Sequence, residues 1–283
     1  MHFPSAPAEE VEALRALLST PKRCAIVTHY NPDGDAMGSS LGLMHILKSA
    51  GHTAQVVLPN MPPSFLQWMP GFNECLAFDK HGAKAENAVK DCDLLFCVDF
   101  SRTDRVAKLE QTIKAAKTVV LIDHHQDPDH FAQVMFTDTE ACATSQMIAD
   151  IVRALGWWDH VNVDAATCLY TGLVTDSGSF RFSSTTPHTM RTAADLMEKG
   201  VRIATVHESI MDDNRAVRLK LLGFMLNERM EVLADHETVV IALSMADLKR
   251  FDFQPGDTEG FVNYGLSIRG IRSAFFRSLK RST

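Results

Sequence analysis

The sequence has no pair of adjacent glycines, no Cys-x-x-Cys spacing and no excess of basic charge, and no apolar run approaches the roughly 18 residues of a membrane span. Each absence removes a class of protein. The longest continuous apolar pieces are short ones, such as Leu94 to Val98 and Thr118 to Ile122, so no membrane is expected as a partner. The N-terminus carries Glu9, Glu10 and Glu12 and lacks the basic stretch and apolar stretch of a secretory signal, which makes a cytoplasmic location the expectation. Six cysteines, Cys24, Cys75, Cys92, Cys97, Cys142 and Cys168, read as buried thiols in a reducing compartment, not as a zinc site or a disulfide framework. With 28 Lys and Arg against 35 Asp and Glu, the formal net charge of −7 argues against a protein that coats long nucleic acid through many phosphate contacts. A phosphate-handling enzyme is still compatible with it, because bound metal ions can supply the positive charge.

What is present is an ordinary globular composition, 46% hydrophobic and 22% charged, in 283 residues. That length suits one large or two modest domains. Over the first two-thirds, short β-branched apolar runs alternate with stretches of helical period. Strands are expected at Arg23 to Thr28, Thr53 to Leu58, Asp93 to Val98 and Thr118 to Ile122. Helices are expected at Ala36 to Ala50, near Ala83 to Lys90 and at Arg105 to Ala116. Runs buried on both faces and alternating with helices point to a doubly wound, mostly parallel α/β sheet. From Cys142 to Thr175 the pattern is helical, broken at Gly156 and near Asn162. A further helix, Pro187 to Lys199, is announced by Thr185 and Thr186 and stopped by Gly200. After one or two helices in Ile203 to Glu228, Glu231 to Ala234 and Thr238 to Leu243 read as a strand pair around a turn. The expected division is 1–200 for a catalytic domain, 201–220 for a helical linker and 221–283 for a smaller α+β domain.

Four clusters of metal-competent side chains lie at the ends of expected elements. They are His29-Tyr-Asn-Pro-Asp33-Gly-Asp35, Asp99 after Val98, Asp123-His124-His125, and Asp176 in Thr175-Asp-Ser-Gly-Ser-Phe-Arg-Phe182. Each alone reads equally well as a turn former or a helix cap. Taken together they are harder to dismiss. Ligands of open α/β sheets bind outside the carboxyl ends of the strands, where the first three clusters would converge. Crowded carboxylates raise one another's pKa, a cost that two divalent cations would remove. Oxygen and imidazole donors without cysteine suit manganese, with magnesium as a substitute. Two such ions can activate a water and hold a phosphoryl group, so phosphoester hydrolysis is the chemistry expected.

These four motifs, His29-x-Asn31-Pro-Asp33-Gly-Asp35-Ala-x-Gly38-Ser39, Val98-Asp99, Asp123-His124-His125 and Thr175 to Phe182, resemble those of the DHH phosphoesterases. Asn-Pro-Asp-Gly-Asp and Thr-Asp-Ser-Gly-Ser-Phe-Arg-Phe are most similar to the bacterial nanoRNase and pAp phosphatase branch. The resemblance implies hydrolysis of very short oligonucleotides, of 3′-phosphoadenosine 5′-phosphate, or of both. It implies one metal on His29, Asp33 and Asp99 and another on Asp35, Asp99, His124 and Asp176, with Asp99 bridging. Asp123 would orient the histidines, His125 would face the substrate phosphate, and Asn31, Ser39 and Arg181 would lie near the substrate. Ser39 reads equally well as a residue of the helix start with no substrate contact. A homodimer is also within what the resemblance implies.

Relatives of this kind close the cleft with a second domain carrying a Gly-Gly-His type motif. No Gly-Gly stands here, and Gly260 to Gly270 resembles only the start of such a domain, before the basic run from Arg277 to Thr283. The expectation is therefore an intact two-metal domain with an incomplete substrate domain, in which hydrolysis survives better than nucleotide affinity. Three other readings remain at this stage. One is a phosphodiesterase of cyclic or linear dinucleotides, and another is an inorganic pyrophosphatase, although Gly34 stands where that enzyme typically has threonine. The third is a nucleotide- or metal-binding module without activity.

Overall fold

The computed structural model describes residues 5–212, 214–254, 256–258 and 260–279, with the side chains of 278 and 279 excepted. The end of the basic run, residues 280–283, lies outside them. The chain divides into two compact units, Met1–Ser209 and Ile210–Thr283.

In the first unit, α1 (Ala8–Leu17) precedes β1 (Arg23–Val27), α2 (Gly34–Ser49), β2 (Thr53–Leu58), β3 (Leu76–Ala77), α3 (Phe78–His81), α4 (Ala83–Lys90) and β4 (Leu94–Val98). Then come α5 (Glu110–Lys114), β5 (Val119–Asp123), β6 (Val134–Thr137), α6 (Thr144–Ala154), α7 (Val163–Asp176), α8 (Pro187–Glu198) and α9 (Ile203–His207). The six strands form one parallel sheet in the order β3-β2-β1-β4-β5-β6. Both directions of winding start from the middle, so β1 and β4 are neighbours although 66 residues of chain run between Val27 and Leu94. That is the switch point at which an open α/β sheet parts to leave a crevice at its carboxyl edge.

The pleat sends alternate residues to opposite faces. Ala25, Val27, Leu95, Cys97 and Leu121 pack with Ala85 and Val89 of α4 and Ile113 of α5. On the other face Phe96 and Ile122 gather with Leu43 and Leu47 of α2 and Ile148 and Ile151 of α6. A fully buried phenylalanine of this kind contributes about 2 to 3 kcal/mol of transfer free energy. Helix α2 is buried along nearly its whole length, which explains why it reads apolar on all sides. It can pack so closely because a Cβ on Gly38 would lie 2.5 Å from the Cys168 carbonyl oxygen of α7.

The expected doubly wound α/β sheet is present, with differences in detail. The helix expected over Arg105 to Ala116 is a 3-10 segment, Thr103–Leu109, followed by the short α5, because Ala107 turns left-handed with φ 50°. Strands β3 and β6, two and four residues long, escaped the sequence pattern. Gly156, at φ 76°, follows α6, and the Asn162 side chain caps α7 by accepting from the Ala165 N–H. Thr186 and Thr189 form a capping box around Pro187 at the start of α8.

The second unit holds α10 (Ala216–Glu228), β7 (Met230–Leu233), β8 (Thr238–Ser244), α11 (Met245–Arg250), α12 (Phe261–Leu266) and β9 (Ser273–Leu279). Strand β8 pairs antiparallel with β7 and parallel with β9. Its buried alternate residues Val239, Ile241 and Leu243 pack with Leu221 and Met225 of α10 and with Phe261. Among the described residues no helix is long and apolar enough to cross a membrane.

Candidate metal centre

The loop after β1 and the loop after β4 emerge side by side at the switch point, and they bring His29 beside Asp99. Asp99 is buried, and its left-handed backbone (φ 65°) turns the chain directly after the last residue of β4. Its Oδ2 lies 3.6 Å from His29 Nε2, while its Oδ1 lies 3.7 Å from His124 Nε2 and 3.8 Å from His125 Nδ1. His29 Nε2 is also 3.8 Å from Asp33 Oδ2, and His124 Nε2 is 3.4 Å from Asp176 Oδ2. Asp33 has a second task as N-cap of α2, where its side chain accepts from the Asp35 and Ala36 N–H groups.

Neighbouring backbone decides which ring nitrogen is available. His29 Nδ1 is 2.9 Å from the Tyr30 carbonyl oxygen, and His124 Nδ1 is 3.1 Å from that of Ala141. A carbonyl only accepts, so each Nδ1 carries the proton and donates. Each Nε2 then faces the carboxylates, and on losing its proton presents its lone pair there, as an imidazole ligand requires.

Electrostatics shows what the cluster lacks. Burial pushes Asp35 well above the usual carboxylate range, and Asp99 and Asp176 push it further. Asp176 is raised to about 6, by burial first and then by its carboxylate neighbours. Burial works against a charged His29, yet Asp33 and Asp99 outweigh it and lift the ring to about 10. For His124, Asp35, Asp99 and Asp176 likewise outweigh burial and lift it to about 9. None of the described ion pairs joins Asp33, Asp35, Asp99 or Asp176 to a lysine or arginine. Protons on imidazoles are the available counter-charges.

Divalent cations fit this arrangement better than protons do. Three donor sets have their ligand atoms within 4.8 Å of one another: His29, Asp33 and Asp99; Asp35, His124 and Asp176; and Asp99, His124 and His125. Donors across one ion stand roughly 4 Å apart when each bond is ~2.0–2.2 Å, so little closure is needed. No cysteine takes part, and mixed oxygen and nitrogen donors suit manganese or magnesium.

The first and third sets share Asp99, the second and third share His124, and all three draw on Asp123-His124-His125 or on the segment that opens α2. A model of the DHH family N-terminal domain matches residues 23–173, just over half of the chain. The chain belongs to the DHH family. Several of its relatives carry the name bifunctional oligoribonuclease and PAP phosphatase NrnA. The Thermus thermophilus protein of that name is 35% identical over 187 residues, 65% of this chain and 52% of the relative, so this chain spans about half that protein's length. The Bacillus subtilis protein of that name is 24% identical, with 88% of this chain and 75% of the relative covered. Among solved structures, an exopolyphosphatase-related protein from Bacteroides fragilis superposes with a TM-score of 0.90 at 30% identity, covering 94% of this chain and 78% of that one. The DHH-family match ends three residues before Asp176, so the fourth carboxylate joins the site through geometry and not through the matched segment.

The other residues expected in this DHH-family site are placed less uniformly. Asp123, fully buried at the end of β5, accepts from both the ring Nδ1–H of His125 (2.8 Å) and its backbone N–H (3.2 Å). The expectation had it orienting the histidines in general, whereas His124 is held by the Ala141 carbonyl instead. Asn31, left-handed at φ 57°, is engaged with Asn60, which accepts from its N–H at 2.7 Å and donates to its Oδ1 at 3.1 Å. Ser39 is fully buried and its hydroxyl turns back to the Ala36 carbonyl, the arrangement of a helix residue without a substrate contact. Arg181 is exposed, with its Nε donating to the Gly178 carbonyl at 2.8 Å. It follows three successive left-handed residues, Gly178, Ser179 and Phe180.

Sequence reasoning missed the residues that hold the carboxylates. Helix α6 begins after Ala143, which offers no cap. Asp35 caps it from another element, with Oδ2 accepting from the Thr144 N–H at 2.6 Å and Oδ1 from the Ser145 N–H at 3.0 Å. The Thr144 hydroxyl donates to Asp99 Oδ1 at 2.9 Å. The one signal in sequence was a Thr-Ser pair opening an apolar helical stretch, which by itself reads as a local cap.

Proposed function

We propose that this chain is a hydrolase of phosphoesters that works with two divalent cations, manganese by preference. Short oligonucleotides and 3′-phosphoadenosine 5′-phosphate are its substrates in this reading. The observation that carries it is the gathering of three carboxylates, Asp33, Asp35 and Asp176, and two proton-oriented imidazoles around Asp99 at the switch point of the sheet. The names of the Thermus and Bacillus relatives supply the substrate class.

His29, Asp33 and Asp99 would hold one cation, and Asp35, Asp99, His124 and Asp176 the other. Bound there, such ions supply Lewis acidity and lower the pKa of a coordinated water. The protein's own residues do the rest. The backbone carbonyls of Tyr30 and Ala141 fix the histidine tautomers, so no ring must turn when the site loads. Asp123 accepts from Nδ1–H of His125 and raises the ring above its ordinary pKa, so in the protonated form Nε2–H of that half-exposed ring would donate to a phosphoryl oxygen, a fixed donor that needs no reorganisation as charge develops. Exposed Arg181, braced by the Gly178 carbonyl, offers its remaining guanidinium N–H groups to a phosphate.

The test is hydrolysis of a dinucleotide, of 3′-phosphoadenosine 5′-phosphate and of an activated aryl phosphodiester with manganese present. Turnover of at least one, lost by a factor of about 10² or more in Asp99→Asn, is expected when a charge-bearing group of the transition-state machinery is removed. No turnover of any of the three, or an Asp99→Asn variant as active as the parent, rejects the reading.

A further inference from the structure

Asp99 offers one oxygen to each side of the site, Oδ2 toward His29 and Oδ1 toward His124, and this division would hold only while its carboxylate plane stays fixed. A carboxylate at the tip of a loop turns about its last side-chain bond with little hindrance. Among the described residues one hydrogen bond from outside the donor sets opposes that rotation. Thr144, fully buried at the start of α6, donates its hydroxyl proton to Asp99 Oδ1 at 2.9 Å. That oxygen is the one facing His124, while the other faces His29.

We infer that Thr144 is a positioning residue of the metal centre, setting the rotation of the Asp99 carboxylate so that the two donor sets share it. Three features of the site support this role. A hydroxyl has a single proton, and the Thr144 Oγ1–H is committed to Asp99, so the contact has a fixed direction. The backbone of Thr144 is independently anchored by its N–H on Asp35, a ligand of the second set, so the hydroxyl is carried on a rigid helix start and not on a mobile loop. The same residue therefore touches one carboxylate through its backbone and the other through its side chain, and fixes the spacing between them. Buried hydrogen-bond partners of ligand side chains typically contribute a factor of 10 to 100 in metal affinity or activity.

The inference rests on the two-cation reading, and one experiment separates the two. Manganese is titrated into the metal-free full chain, wild type, Thr144→Ser, Thr144→Val and Thr144→Ala, by calorimetry and by the manganese EPR signal. Circular dichroism of each metal-free variant checks the fold. Threonine to serine keeps the hydroxyl and removes a methyl, whereas threonine to valine keeps the shape and removes the hydroxyl. The expected order of affinity is wild type and Thr144→Ser together, with Thr144→Val weaker by about 10- to 100-fold and the EPR signature of a coupled ion pair lost. Equal binding by Thr144→Val, or Thr144→Ser weaker than Thr144→Val, would show a packing role and overturn the inference. Should Thr144→Val fail to fold, Thr144→Ala against Thr144→Ser gives the same decision, since only the serine restores the donor. A wild-type chain that binds two manganese ions while the variants match it refutes the Thr144 role alone. A wild-type chain that binds none refutes the two-cation reading, and the Thr144 role falls with it.

Discussion

Gly172 of α7 offers the sharpest test of how the packing makes the site. An added methyl at this position would stand 2.1 Å from Ser145 Oγ, 2.5 Å from Asp35 Oδ1 and 2.9 Å from Ser145 Cβ. Ordinary contacts begin at 3.4 Å, so the Asp35 carboxylate would have to withdraw by about 1 Å. Two effects of Gly172→Ala oppose each other. Alanine is worth about 1 kcal/mol over glycine in a helix interior, whereas overpacking a filled core costs typically 1–3 kcal/mol. The clash falls on buried atoms beside a carboxylate tied to α6, so it wins, and a net loss of up to about 2 kcal/mol is expected. The functional loss is larger, because a misplacement of about 1 Å in a catalytic constellation costs on the order of 10²-fold. Gly223→Ala in α10 is the internal control, since a Cβ there would meet nothing within 4 Å. It should stabilise the protein by about 0.5–1 kcal/mol. Urea unfolding of the metal-free variants, manganese titration and turnover are the measurements. If Gly172→Ala stabilises as Gly223→Ala does and binds metal as the parent does, the account of Asp35 as wedged between α6 and α7 is wrong.

Phe96→Ala, which empties the layer between the sheet and helices α2 and α6, should cost about 3–5 kcal/mol in urea unfolding. In the second unit, the Arg229 guanidinium grips Asp247 through two 3.0 Å contacts and holds its carboxyl well below the ordinary range. A depressed carboxyl contributes stability that is complete above its unfolded pKa of about 4 and is lost as pH falls through the folded value. The protection factors of the β8 amides in the full chain, with the acid slowing of intrinsic exchange divided out, should therefore fall on acidification below that range, and less steeply in Arg229→Met. An identical pH profile in the two proteins would reject the pair as its source.

The central sheet was legible because β1, β4 and β5 are uninterrupted apolar runs, each ending at a polar residue. Their ends were legible as a site for the same reason, since Asp99 and Asp123-His124-His125 interrupt the apolar pattern at the strand termini. Strands β3 and β6 were not, because two and four residues carry no periodicity to read. The break at Ala107 was hidden as well, since alanine ordinarily favours helix and its left-handed turn is imposed by the surroundings. The supports of the site were out of reach for a different reason. Thr144 and Ser145 meet Asp35 across more than a hundred residues, and His29 and His124 are oriented by carbonyls that any residue type could supply.

Asp35 is claimed by two users, the start of α6 and the second donor set. Changing the centre's metal preference by exchanging this residue, for instance to histidine or cysteine for a softer ion, would therefore also strip α6 of its cap. The second donor set is open to redesign at His124 and Asp176, while position 35 is held to a short carboxylate by the helix as firmly as by any ion.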